Sequence, residues 1–147
     1  MEIVSRMPDM MKAVIQLRSH HEGEEVVQDM LAEVFAKDSV LYVKYEELEA
    51  GPRGGSIRTT IKITPDVVKI IRHGEVESEQ SYQLDTTLPG FYRSPYTTFN
   101  LSTYTHEMKM DIQGGIGHVS WSYDLYVYDD LSGVFTISLY IQEEPKL

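Results

Sequence analysis

The chain has 147 residues and no cysteine, which excludes a disulfide framework and any thiol chemistry. That length suits one domain, residues 1–147, able to bury its own core without a structural metal. A formal net charge of −10 opposes binding to phosphate backbones, and no apolar run approaches the roughly 18–20 residues of a membrane helix.

Residues 1–9 carry no pattern, and the stretch before Pro8 reads as loose. The segment MMKAVIQLRSHH then alternates, with Ala13, Ile15 and Leu17 on one face and Lys12, Gln16 and Arg18 on the other. Only a β-strand places residues two apart on the same side. After a turn at Glu22-Gly23-Glu24, residues 25–36 support two readings. Val26, Val27, Met30, Leu31, Val34 and Phe35 fall at helical spacing in a helix-favouring composition. As a strand, Val26, Met30, Ala32 and Val34 share a face, and the short link Lys37-Asp38-Ser39 suits a hairpin.

Leu41, Val43 and Tyr45 line one face of the next strand, VLYVKYEELE, and AGPRGG after it is a loop. SIRTTIKIT has the cleanest alternation, with Ile57, Thr59, Ile61 and Ile63 on one side. It leads through Thr64-Pro65-Asp66 into VVKIIR, and His73-Gly74 leads into EVESEQSYQL. DTTLPGFYRSPY, with two prolines and a glycine, reads as a long loop or a kinked crossover. TFNLSTYT and HEMKMDIQ read as separate strands, followed by HVSWSYDLYVY and VFTISLYIQ. Short links between successive strands imply an antiparallel meander. A sheet this long curls, and hairpins in sequential order favour an all-β, up-and-down barrel of about 8–10 strands with at most one short helix.

Several short motifs, taken in order, carry a family resemblance. They are Tyr42, Tyr45, Glu46 and Glu47; Thr59-Thr60 with Lys62; Ile71, Arg72 and Gly74; Tyr92 to Tyr96 with Pro95; Thr103; and Gly114-Gly115 followed by Tyr123-Asp124-Leu125. The chain resembles the YwiB-like family of small bacterial β-barrel proteins across roughly residues 11–143. The resemblance implies a calycin-like (lipocalin-like) closed barrel with residues 25–36 as a strand, and it implies no activity. Ala32-Glu33 departs from the glycine or threonine pair common at that place in the family.

No motif supplies catalysis, a metal or a cofactor. The histidines at 20, 21, 73, 106 and 118 lack ligand spacing, and there is neither an H-E-x-x-H nor a G-x-S-x-G sequence. The clusters Glu46-Glu47-x-Glu49, Glu75-x-Glu77-x-Glu79 and Glu143-Glu144 read as solvated strand faces and ends. Two charges share faces with apolar residues: Glu47 with Leu41, Val43 and Tyr45, and Arg72 with Val68 and Ile70. A charge on an inward face must be paired or neutralised. Trp121 and Tyr123 share another inward face.

These residues frame two functional expectations. The first is a non-enzymatic protein that holds a small, largely apolar ligand, with an acidic head group on Arg72, against Glu47, Tyr45, Trp121 and Tyr123. The alternative is a protein-interaction or structural module acting through a tyrosine-rich strand face or an edge strand, a homodimer included, with Val119–Val127 and Val134–Ile141 as the segments to test. A hydrolase or isomerase using Glu47 as a base rests on a single carboxylate. The start MEIVSRMPDMMK does not read as a signal peptide, so the expected compartment is cytoplasmic, with no membrane or nucleic-acid partner.

Overall fold

A computed structural model describes residues 9–145 together with Ile3, Val4 and Met7. Ten strands form one closed antiparallel barrel, and no helix occurs among the described residues. The strands are β1 (Met10–His21), β2 (Glu24–Lys37), β3 (Val40–Glu46), β4 (Ile57–Ile63), β5 (Val67–Gly74), β6 (Glu77–Gln83), β7 (Thr87–Arg93), β8 (Thr98–Gln113), β9 (Ile116–Val127) and β10 (Asp130–Glu143). Each pairs with its neighbours in sequence, and β1 closes the ring against β10.

The alternation seen in the sequence decides which side faces in. Ile57, Thr59, Ile61 and Ile63 are all buried on β4, as are Leu41, Val43 and Tyr45 on β3. The core continues through Ala13, Ile15, Val119, Trp121, Leu139 and Ile141. Burying such side chains contributes roughly 1.5–3 kcal/mol each for the larger aliphatics, which is what holds the ring together.

Residues 25–36 lie in strand β2, and the helical alternative is overturned. Two-residue turns flank the segment, Glu22-Gly23 before it and Asp38-Ser39 after it, all with positive φ (52°, 80°, 52° and 65°). Type I′ turns of this kind force the flanking residues into ladders, and pairing with β1 outweighs helical propensity.

Residues 87–93, read as loop, form strand β7. Pro89 is tolerated because the ladder from β7 to β6 covers only Phe91–Arg93, so the missing N–H breaks no bond on that side. Gly90 lets β7 pass close over β6, where any Cβ would strike the Glu79 carbonyl oxygen. The two strands expected at 98–105 and 106–113 are one strand, β8, bent by a bulge between Thr105 and Glu107.

At the start of the chain, Ile3 is 2% exposed within the core, and its carbonyl accepts a hydrogen bond from Gly115 N–H at 3.1 Å. The remainder of the segment read as loose includes residues 1, 2, 5, 6 and 8, which lie outside the described residues. Among the described residues, no helix is long and apolar enough to cross a membrane, and no three His, Asp or Glu side chains gather as a metal site.

Candidate functional site

One inward-facing row runs across the first strands of the barrel. Ala13 lies opposite Ala32, Tyr45 opposite Thr59, Thr59 opposite Arg72, and Arg72 opposite Ser78. The row has one break. The β2–β3 ladder stops at Glu33 and Lys44, so Ala32 and Tyr45 face each other without a ladder between them.

The wall is recessed at that break. A recess of about 750 Å³ reaches Ala13, Ala32, Tyr45 and Thr59 from outside, and Leu31, Thr60, Lys12, Lys44 and Arg58 contribute to its rim. Glu33, Glu46, His73 and Glu144 complete the lining, so three basic side chains are balanced by three carboxylates. Lys12, Lys44 and Arg58 form no salt bridge among the described residues. Leu31 is 67% exposed beside them.

Next along the row, Glu47 and Arg72 meet. Arg72 Nε donates to Glu47 Oε2 at 2.8 Å and Nη2 donates to Oε1 at 2.8 Å. Thr59 Oγ1 donates to the same Oε2 at 2.6 Å. Glu47 continues the β3–β4 pairing by one residue, its N–H bonded to the Ile57 carbonyl, which keeps its side chain on the face of Tyr45. Burial would raise the Glu47 pKa, but hydrogen bonds from Arg72 and Thr59 and the guanidinium charge hold it below the ordinary carboxylate value. Burial pulls Arg72 the other way, yet bonding to Glu47 and its charge raise it. Burial and the Glu47 charge push the Tyr45 phenol up to about 12, so it remains a neutral donor near neutrality.

Trp121 and Tyr123 belong to a second cluster. Tyr82 packs on Trp121 at 5.1 Å and on Tyr123 at 4.7 Å, Tyr123 stacks on Phe135 at 5.6 Å, and Phe135 stacks on His21 at 4.1 Å. Tyr82 donates to Gln80 Oε1 at 2.7 Å. Burial raises the phenol pKa of Tyr82 well above the usual value and also raises that of Tyr123. These rings fill the β6, β9 and β10 side of the interior, away from the small side chains of Ala13 and Ala32.

Of the five residues nominated from sequence, Glu47, Arg72 and Tyr45 therefore come together, while Trp121 and Tyr123 lie in the aromatic stack. Tyr45 is the only one of the five that lines the recess. Thr59 and the Ala13–Ala32 pair were missed as site residues. The available signal was two alanines at inward positions of neighbouring strands, where larger aliphatics are the rule in this chain. The segments Val119–Val127 and Val134–Ile141 are paired to each other and to a further strand on either side, except that Val134 and Phe135 pair with β9 alone.

The barrel has known relatives. It is similar to an uncharacterised β-barrel protein, YwiB, of Bacillus subtilis (strain 168), with 25% identity over 97 residues. That match covers 65% of this chain and 66% of the relative's length. The crystal structure of the ywiB protein from Bacillus subtilis superposes with a TM-score of 0.80 at 18% identity, covering 95% of this chain and 96% of that one. A family model described as a domain of unknown function, DUF1934, matches residues 11–139, and the chain belongs to that family.

Proposed function

We propose that this protein is a non-catalytic binding barrel that takes a small, largely apolar molecule in the wall recess between β2 and β3. The observation that carries this reading is the recess itself, formed where the β2–β3 ladder stops and inward alanines leave room. Leu31 and the alanines supply apolar contact, the Tyr45 hydroxyl supplies a neutral donor, and Lys44 and Arg58 meet a polar or anionic end. Arg72 holds the site from behind. Its fork is already occupied by Glu47, so it acts as a structural counter-charge and an acidic head group does not need it. The cytoplasmic compartment expected from the N-terminal sequence is part of the same proposal.

Native mass spectrometry of the purified protein, with a fluorescence titration using an anionic naphthalene sulfonate probe, tests this directly. The expected result is a retained small molecule or saturable probe binding. Thr60→Trp, which fills the recess from the outer face, should weaken probe binding about ten-fold or more. Absence of both signals, or affinity unchanged in a folded Thr60→Trp protein, sinks the reading.

A further inference from the structure

A second depression, of about 330 Å³, lies on the outer face of β2, β3, β4 and β5. Alternation puts its residues there: Leu41, Val43, Ile61 and Ile63 point inward, so Tyr42, Lys44 and Lys62 point out. Three of the chain's seven lysines, Lys37, Lys44 and Lys62, line it together with Thr60 and His73. No carboxylate among the described residues lines it. In a chain of net charge −10 this is a local reversal of sign. The groove adjoins the recess and shares Lys44, Thr60 and His73 with it, whereas Lys37 and Lys62 belong to the groove alone.

Two of the three lysines lie against aromatic rings, and none is neutralised. Phe35 and Tyr42 face each other across the β2–β3 ladder and stack at 5.0 Å. Lys44 Nζ lies 5.5 Å from the Phe35 ring centre, and Lys62 Nζ lies 5.6 Å from that of Tyr42. Lys37, Lys44 and Lys62 form no salt bridge among the described residues. Lys62 also stands directly opposite Lys69 on the β4–β5 ladder, which sets like charges together. Glu79 relieves Lys69 at 2.9 Å, and an anion in the groove would do the same for Lys62.

We infer that this groove binds a short oligophosphate, free or as the phosphate chain of a small organic phosphate. The three lysines come from successive strands, β2, β3 and β4, and so span two gaps of about 4.8 Å each. Charges spread over roughly 10 Å suit an anion that carries several charges along its length, which one carboxylate does not. An ammonium group is a point charge that meets phosphate oxygens without the planar fit an arginine fork demands. The Thr60 hydroxyl and the His73 ring N–H are donors for the remaining oxygens. A longer polyanion fits poorly, because Glu33 opposite Lys44 and Glu79 opposite Ile71 flank the groove on both sides. Phe35 and Tyr42, stacked on each other beside the lysines, offer a base little open face. The groove needs no molecule in the recess, so this inference and the ligand reading fail separately.

Calorimetric titration of the full chain with tripolyphosphate, at low and at physiological ionic strength, tests the inference. One saturable site per chain is expected, weakened by salt. Lys37→Ser combined with Lys62→Ser should weaken it about ten-fold or more and leave naphthalene sulfonate binding in the recess unchanged. Lys109→Ser, which removes a lysine from β8, should change neither. Adenosine triphosphate separates the two sources: equal affinity assigns recognition to the phosphate chain alone, and tighter binding assigns it to an organic phosphate. No saturable binding up to millimolar tripolyphosphate overturns the inference, and leaves the recess reading standing if naphthalene sulfonate still binds. A folded double variant of unchanged affinity overturns it too. So does equal weakening by Lys109→Ser, or tighter binding of citrate or of a single-stranded oligonucleotide.

Discussion

Glu47 and Arg72 show how a single pair of side chains can be half legible. Alternation placed each on an inward face of its own strand, but their meeting depends on strands β3, β4 and β5 lying side by side. A bidentate pair with a third hydrogen bond from Thr59 recovers much of the desolvation cost of two partly buried charges. Breaking one side is costly because the other charge stays behind. Near neutral pH, Glu47→Gln should lower unfolding stability by about 2 kcal/mol, measured by urea denaturation. The folded carboxyl has a lower pKa than the unfolded one, so the unfolded chain binds the proton more readily. The pair's contribution is therefore complete above the unfolded value and is lost as pH falls through the folded value. The gap between wild type and Glu47→Gln should close over that acid range. A gap independent of pH would show that the cost comes from packing.

At the scale of elements, the turns decide more than the strands do. Asp38 and Ser39 adopt φ of 52° and 65°, a conformation that favours glycine and costs other residues roughly 1 kcal/mol each. Ser39→Gly should stabilise the barrel by about 0.5–1 kcal/mol, read as a shift in the urea midpoint at unchanged slope. A loss of stability would mean that the Ser39 side chain contributes more than its backbone strain. These turns also explain why residues 25–36 were ambiguous. The segment's composition favours helix, while the information that makes it a strand sits in two residues on either side and in the partner strand. β7 was illegible for a related reason. Pro89 and Gly90 are breakers in an ordinary strand, but here one sits where the second ladder is absent and the other where β7 crosses the Glu79 carbonyl. β8 was divided because a bulge at Thr105 to Glu107 interrupts its alternation, and period two is all a sequence offers to mark a strand.

Across the whole molecule, the core is lopsided. Rings of Tyr82, Trp121, Tyr123 and Phe135 fill one side, and Ala13 and Ala32 occupy the other, where the wall opens. Three of the ten tyrosines, Tyr45, Tyr82 and Tyr123, are inside and carry raised phenol pKa values. Their neutral forms contribute stability that is complete below the unfolded value of 10.0 and, for Tyr45, is lost as pH rises through about 12. At an alkaline pH between those limits, tyrosinate absorbance should step up when urea unfolds the barrel, because the buried phenols ionise more readily once exposed. Absence of a step would mean that the interior admits water to these rings.

The sequence by itself determined the fold class and the inward faces, and its expectation of about 8–10 strands includes the ten present, with one missed strand offset by one strand divided in two. Side-chain alternation is a local property of each strand, and burial follows it wherever a sheet has two sides. The tertiary structure alone decided that β1 meets β10, that Glu47 receives the Arg72 fork, and that β2 outruns β3. The first two depend on which strands lie side by side, and the third on how far one strand extends past its neighbour, and no single segment records either. The recess comes from the third.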